Sequence, residues 1–182
     1  MSLIFENKVP SSYRIPFVKK VKEVASRLGI NPNWLMAIMY WESARTFSPS
    51  ITNSLGYTGL IQFGSAAAQD LGTTTAILRS MSAVDQLDYV ERYFKLWFKR
   101  LKITAPNTYV DTYLIVLFPV AVNKGYNFVI QSGGISAYKF AINNPAFDFN
   151  KDNKVTVKEI ETKMLEQLPS QEWIKIMLEK KK

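Results

Sequence analysis

The chain has 182 residues and contains neither histidine nor cysteine. That excludes Ser-His-Asp triads, imidazole bases, thiol nucleophiles and Cys-based zinc sites, so carboxylates or lysines must carry any proton transfer. Among the carboxylates, Glu42 is singled out by spacing. Leu35, Ile38, Met39 and Glu42 fall at i, i+3, i+4 and i+7, which puts Glu42 on the apolar face of a helix over about 32–43. Burial disfavours a charged carboxylate, and the negative end of the helix dipole acts in the same direction. An acid that keeps its proton near neutral pH is what cleavage of a glycosidic bond requires. The alternative, on periodicity alone, is that Glu42 lies at the stripe's edge and reaches water.

A second cluster lies near the end of the chain. From Asp148 to Glu159 the residues follow the twelve-position EF-hand pattern, with side-chain oxygens from Asp148, Asn150, Asp152, Thr156 and Glu159 at positions 1, 3, 5, 9 and 12. Lys154 at position 7 would give its carbonyl, and Val155 is the hydrophobe at position 8. Asn153 replaces the usual glycine at position 6, and asparagine tolerates the left-handed backbone needed there. The pattern predicts a structural Ca²⁺ that staples the C-terminal helices and takes no part in chemistry. The alternative is a metal-free Asn/Asp turn that caps the next helix.

The elements that must position these residues read as helices. Phe17, Val21, Val24, Ala25 and Leu28 form one amphipathic stripe, with Gly29 as its left-handed stop. Asn31-Pro32 opens the helix that carries Glu42. Residues 46–59, rich in hydroxyls with Pro49, Asn53, Gly56 and Gly59, read as loop. Short helices follow near 66–71 and 76–81, then a long one to Leu101 capped by Ser82 and Asp85. Further helices are expected from Asn107 or Thr108 to about Pro119, over 138–142, 157–168 and 171–181. No alternating strands and no internal repeat are present. The fold class is mainly α.

Glu42-Ser43, then Gly59-Leu60-Ile61-Gln62, then Ala121-Val122-Asn123-Lys124-Gly125 resemble, in order, three markers of the soluble lytic transglycosylases. That family carries Glu-Ser at a helix end, a Gly-Leu-Met-Gln-type segment, and Ala-Tyr-Asn-Ala-Gly. Residues 86–90 and 117–122 look closest to the branch found in bacteriophage particles and prophages. The resemblance covers about residues 17–160. It implies a lysozyme-like helical domain of the goose-type or lytic-transglycosylase kind over 1–145, with the EF-hand-like loop and C-terminal helices packed on it over 146–182. Glu42 would protonate the oxygen between N-acetylmuramic acid and N-acetylglucosamine, then act as base while the 6-hydroxyl closes a 1,6-anhydro ring. Ser43, Tyr57, Gly59, Leu60, Ile61, Gln62, Phe63 and Asn123 would bind the glycan or Glu42. The marker's tyrosine is Val122 here, leaving Tyr57, Tyr113 and Tyr126 as candidates to orient Glu42.

A substrate that supplies its own nucleophile needs only one protein carboxylate, whereas ordinary glycosidases need two. Asp70, Asp85, Asp88 and Asp111 read as helix-surface or capping residues, which favours transglycosylation over hydrolysis. Without the family, Gly59–Phe63 could be a buried turn and strand stub, and Asn123-Lys124-Gly125 a helix stop. A net charge of +8 suits an anionic wall polymer. The lysines are scattered without a DNA-reading motif, so no nucleic-acid partner is expected, and Lys180-Lys181-Lys182 reads as a solvated tail. No apolar run is long enough to span a membrane, and the first residues lack a signal-peptide pattern. The expected protein is a monomer acting on the peptidoglycan glycan strand, without a catalytic cofactor. It would work in a phage virion or the host envelope and periplasm, beside other virion proteins. A hydrolase on the same fold, or a non-catalytic wall-binding or virion module, are the rival readings.

Overall fold

Phe17, Val21, Val24 and Leu28, the first apolar stripe of the chain, are all buried. In the computed structural model, which describes residues 2–179, they lie on α1, Arg14–Leu28. This helix begins a turn earlier than its stripe because Pro16 falls in the first turn, where a missing N–H costs nothing. Gly29 ends it at φ +67°, with its N–H turned back to Ala25 and Ser26. α2, Pro32–Glu42, opens where the Asn31 side chain accepts the Asn33 N–H at 2.9 Å. Residues 34–39 are buried without exception, so α2 is enclosed on every side rather than laid on a surface.

α3 (Ser65–Asp70), α4 (Thr75–Ser80) and α5 (Ala83–Leu101) follow. Ser82 caps α5 by accepting the Asp85 N–H at 3.0 Å and donating its hydroxyl to the Asp85 carboxylate at 2.7 Å. Contacts divide the chain after Ala105 into two compact units. In the first, α1 lies against α5 and α2, around a core of Phe17, Leu35, Ile38, Met39, Leu87, Val90 and Phe94. Lys20–Asp88 at 2.8 Å and Arg27–Glu91 at 2.7 Å tie α1 to α5. Hydrogen bonds from Arg27, then from Lys95, hold the nearly buried Glu91 carboxyl down at about 2.

The second unit contains α6 (Tyr109–Leu117), a 3-10 turn at Pro119–Ala121, α7 (Ala137–Asn143), α8 (Val157–Glu166) and α9 (Gln171–Leu178). α6 packs on the Pro119–Ala121 turn and on α8. Tyr113, Leu114, Ile130, Phe140, Val155, Ile160 and Met164 fill its interior. Four isolated bridges supply the β-type pairing, and no strand forms among the described residues. The mainly helical class read from the sequence holds. No helix among the described residues is long and apolar enough to cross a membrane. The Lys180-Lys181-Lys182 tail lies outside the described residues.

Candidate functional site

Glu42 is the last residue of α2 and is half-buried. Directly after it the backbone turns left-handed at Ala44, Arg45 and Phe47, with φ of +50°, +66° and +54°. Ser43 holds that turn. It is fully buried, its Oγ accepts the Phe47 N–H at 2.8 Å, and its carbonyl accepts the Thr46 hydroxyl at 2.6 Å. The Ser43 hydroxyl, expected to bond sugar or Glu42, is enclosed here and engaged by the Phe47 amide, and it fixes the chain leaving Glu42.

The Gly59–Phe63 segment is a tight hairpin turn. Thr58 and Phe63 exchange both backbone hydrogen bonds, at 3.0 and 2.7 Å, and enclose residues 59–62. Gly59 sits at φ +82°, and a Cβ there would run into the Gln86 carboxamide, within 2.7 Å of Nε2. Gln86 clamps the hairpin from α5. Fully buried, its Oε1 accepts the Leu60 N–H at 2.7 Å, while Nε2 donates to the carbonyls of Leu78 at 2.8 Å and Pro49 at 3.0 Å. Leu60, Ile61 and Phe63 are buried, and their side chains serve the core. Gln62 is half-buried at φ +54°, with its Nε2 donating to the Gly59 carbonyl at 3.2 Å. Tyr57 is 44% exposed, and its ring covers Gly64 so closely that a Cβ there would lie 2.7 Å from Cε1.

A residue that the sequence offered only as core aromatic lies within electrostatic reach of Glu42. Tyr93 on α5 is buried, and its phenol is pushed up to about 12, chiefly by burial and further by the negative charges of Glu42 and Asp70. A hydrogen bond with Trp97 and the charge of Arg100 act in the opposite sense. Its ring meets Phe63 edge-on at 6.0 Å and Trp97 at 6.4 Å. Arg100 stacks over the half-buried Trp97 at 5.0 Å and pairs with Asp70 at 2.8 Å, which holds the Asp70 carboxyl below its usual range. The hairpin, the Tyr93 phenol and the end of α2 are thus linked within the first unit. A phenol this hard to ionise remains an O–H donor through neutral pH.

In the second unit Asn123 is exposed at φ +61°, with its N–H bonded to Asp111 Oδ1 at 2.9 Å. Val122, where the family's marker has tyrosine, is buried. Tyr113 is core, 6.4 Å from the Phe147 ring. Tyr126 donates its hydroxyl to Glu161 at 3.3 Å. Burial first, then the charge of Asp111, raises the Glu161 carboxyl above its ordinary range.

The Asp148–Glu159 loop folds by three side-chain-to-backbone turns. Asp148 Oδ2 accepts the Asn153 N–H at 3.1 Å, Asn150 Oδ1 that of Asp152 at 2.9 Å, and Asp152 Oδ1 that of Lys154 at 2.9 Å. Glu159 forms a full capping box, its Oε2 accepting both the N–H and the hydroxyl of Thr156 at 2.8 Å. With that carboxylate drawn to the helix end, no group of three His, Cys, Asp or Glu side chains is assembled for a metal among the described residues. Compared with protein-family models, with curated proteins and with solved structures, the chain matches none.

Proposed function

We propose that the protein is a lytic transglycosylase of lysozyme-like fold that cuts the glycan strand of peptidoglycan, with Glu42 as general acid and then base. The observation that carries this reading is the position of Glu42: half-buried, at the C-terminal end of an enclosed helix, within the electrostatic reach of a buried phenol. The order of Glu42-Ser43, Gly59–Gln62 and Asn123 supports it through the family resemblance. Asp70, Asp85 and Asp88, the carboxylates of the first unit raised as possible second catalytic groups, are engaged by Arg100, Ser82 and Lys20. That favours a single working carboxylate and ring closure by the substrate's own hydroxyl. Tyr57, exposed beside the hairpin, is the aromatic best placed in this unit to meet a sugar face. The net charge of +8 suits attraction to anionic wall polymers, in the virion or host-envelope setting that the resemblance implies.

The test is digestion of purified peptidoglycan followed by mass spectrometry of the products. Products ending in 1,6-anhydro-N-acetylmuramic acid are expected, and reducing muramic ends would indicate a hydrolase instead. Glu42→Gln is expected to lose activity by about 10³-fold, the scale of one acid–base group, with the fold kept. Equal clearing by both proteins would remove Glu42 from the mechanism. A second reading, a non-catalytic wall-binding or virion module, is favoured by the valine at position 122. It gains if neither protein releases any product.

A further inference from the structure

We propose that the exposed ridge of α5 formed by Arg92, Lys95, Lys99 and Lys102 is a docking surface for a linear phosphodiester polymer of the cell wall. The positive charge of the chain is unevenly placed. Up to Ala105 there are 13 basic and 7 acidic residues, and after it 10 and 8. Residues 92–102 alone hold five basic side chains and no acidic one. Arg92, Lys95, Lys99 and Lys102 recur at i, i+3, i+7 and i+10 and are all exposed, while Phe94 and Phe98 between them are buried. At a rise of ~1.5 Å per residue the four make a row about 15 Å long.

The ion pairs of the helix do not cancel this row. Lys95 and Arg27 share the single carboxylate of Glu91, at 2.6 and 2.7 Å, which leaves one positive charge over. Arg92 donates to the Leu71 carbonyl at 2.6 Å, a neutral acceptor. Lys99 and Lys102 have no ion pair among the described residues. The helix dipole accounts for cations at the C-terminal end, but its effect falls off within the last turn and does not account for Arg92 and Lys95.

The chemistry of the row selects its partner. A bilayer is entered by apolar side chains, and none of the exposed large hydrophobic residues among those described lies on α5. Nucleic acid is read by guanidinium forks on base edges and by aromatic faces under bases. Here the forks of Arg92 and Arg100 are taken up by Leu71 and Asp70, and the same two groups cover the rings of Tyr89 and Trp97 at 4.8 and 5.0 Å. What is left is a line of separated point charges, which suits spaced phosphates on a flexible chain. That this chain is a wall polymer rests on the proposed action on peptidoglycan, whereas net charge alone would spread the attraction over both units.

The probe is poly(glycerol phosphate) titrated into the full chain by calorimetry at 50 and 200 mM NaCl. Saturable binding is expected, weakened at least tenfold by the higher salt. Lys99→Glu with Lys102→Glu should weaken it tenfold or more. Lys139→Glu with Lys175→Glu, exposed on α7 and α9, reaches the same net charge and should stay within about twofold of wild type. If the first pair fails to fold, Lys99→Gln with Lys102→Gln takes its place, with a loss of at least threefold expected and the matching glutamine pair at Lys139 and Lys175 as control. Equal losses from the two pairs would reduce the effect to net charge and overturn the ridge, as would the absence of saturable binding. Tighter binding of DNA at matched phosphate, or of vesicles of phosphatidylglycerol and phosphatidylcholine, would overturn the wall polymer as its partner. Glu42→Gln should bind poly(glycerol phosphate) as wild type does, so a failed ridge and a failed assignment of glycan cleavage are told apart.

Discussion

Two turns in this protein use the same backbone device and end differently. After Glu42 the chain goes left-handed at Ala44, Arg45 and Phe47, and in the Asp148–Glu159 loop at Lys151 and Asn153, with no glycine at any of these positions. The first turn is closed by buried groups: Ser43 Oγ is taken by the Phe47 amide, and both residues are fully buried. The second, mostly exposed, closes its amides onto the carboxylates of Asp148 and Asp152 and the Asn150 carboxamide, yet leaves Asp148 Oδ1 enclosed and unbonded. The first turn satisfies its own polar groups and so fixes the backbone that leaves Glu42. The other keeps one enclosed anionic oxygen unmatched.

The comparison breaks most severely where the first turn's framework is removed. Gln86→Leu has nearly the right volume but strands the Leu60 N–H and the Pro49 carbonyl, and leaves the Leu78 carbonyl with the Met81 N–H alone. At roughly 1–3 kcal/mol for each buried group left unpaired, and with partial relaxation, a loss of about 3 kcal/mol is expected in urea unfolding. A loss under ~1 kcal/mol would mean that the hairpin is not held from α5. Ser43→Ala should cost less, about 1–2 kcal/mol, by leaving the Phe47 amide without its acceptor. Asp148→Asn, measured in chelator, should be neutral or slightly stabilising, because it removes charge from a carboxylate with one oxygen unmatched. Equal losses for the last two variants would erase the distinction between the turns.

Local chemistry made the helices legible. Asn31, Ser82, Thr108, Thr156 and Ser170 all cap where hydroxyl or amide side chains precede apolar periodicity. Residues at the site were less legible because their partners are distant in sequence. Tyr93 reads as one more core aromatic of α5, and only the fold brings it toward Glu42, fifty-one positions earlier. Gln86 did carry a signal. It falls on the same stripe as Val90, Tyr93 and Phe94, and a polar side chain on a core stripe must find partners there. Glu159 shows the reverse problem, since one residue type at one position satisfies both a capping box and a calcium loop. Likewise Ser43 beside Glu42 matched a marker, while burial, which the marker does not encode, gave its hydroxyl to the backbone.

The smallest effect compares the two turns by one identical substitution. An ordinary L-residue in the left-handed region costs about 1–2 kcal/mol, and glycine there loses about 0.5–1 kcal/mol through the entropy of the unfolded chain. Ala44, exposed at φ +50°, bears the full steric cost, so Ala44→Gly should stabilise by about 0.5–1 kcal/mol. Asn153, exposed at φ +62°, is a residue that visits this region readily, so Asn153→Gly should change stability in chelator by no more than ~0.3 kcal/mol. Paired unfolding curves in EGTA decide it. A gain at position 153 as large as that at 44 would mean that the Asp148–Glu159 loop is strained at its sixth position, and that its asparagine is not the ready substitute for glycine that the sequence pattern suggests.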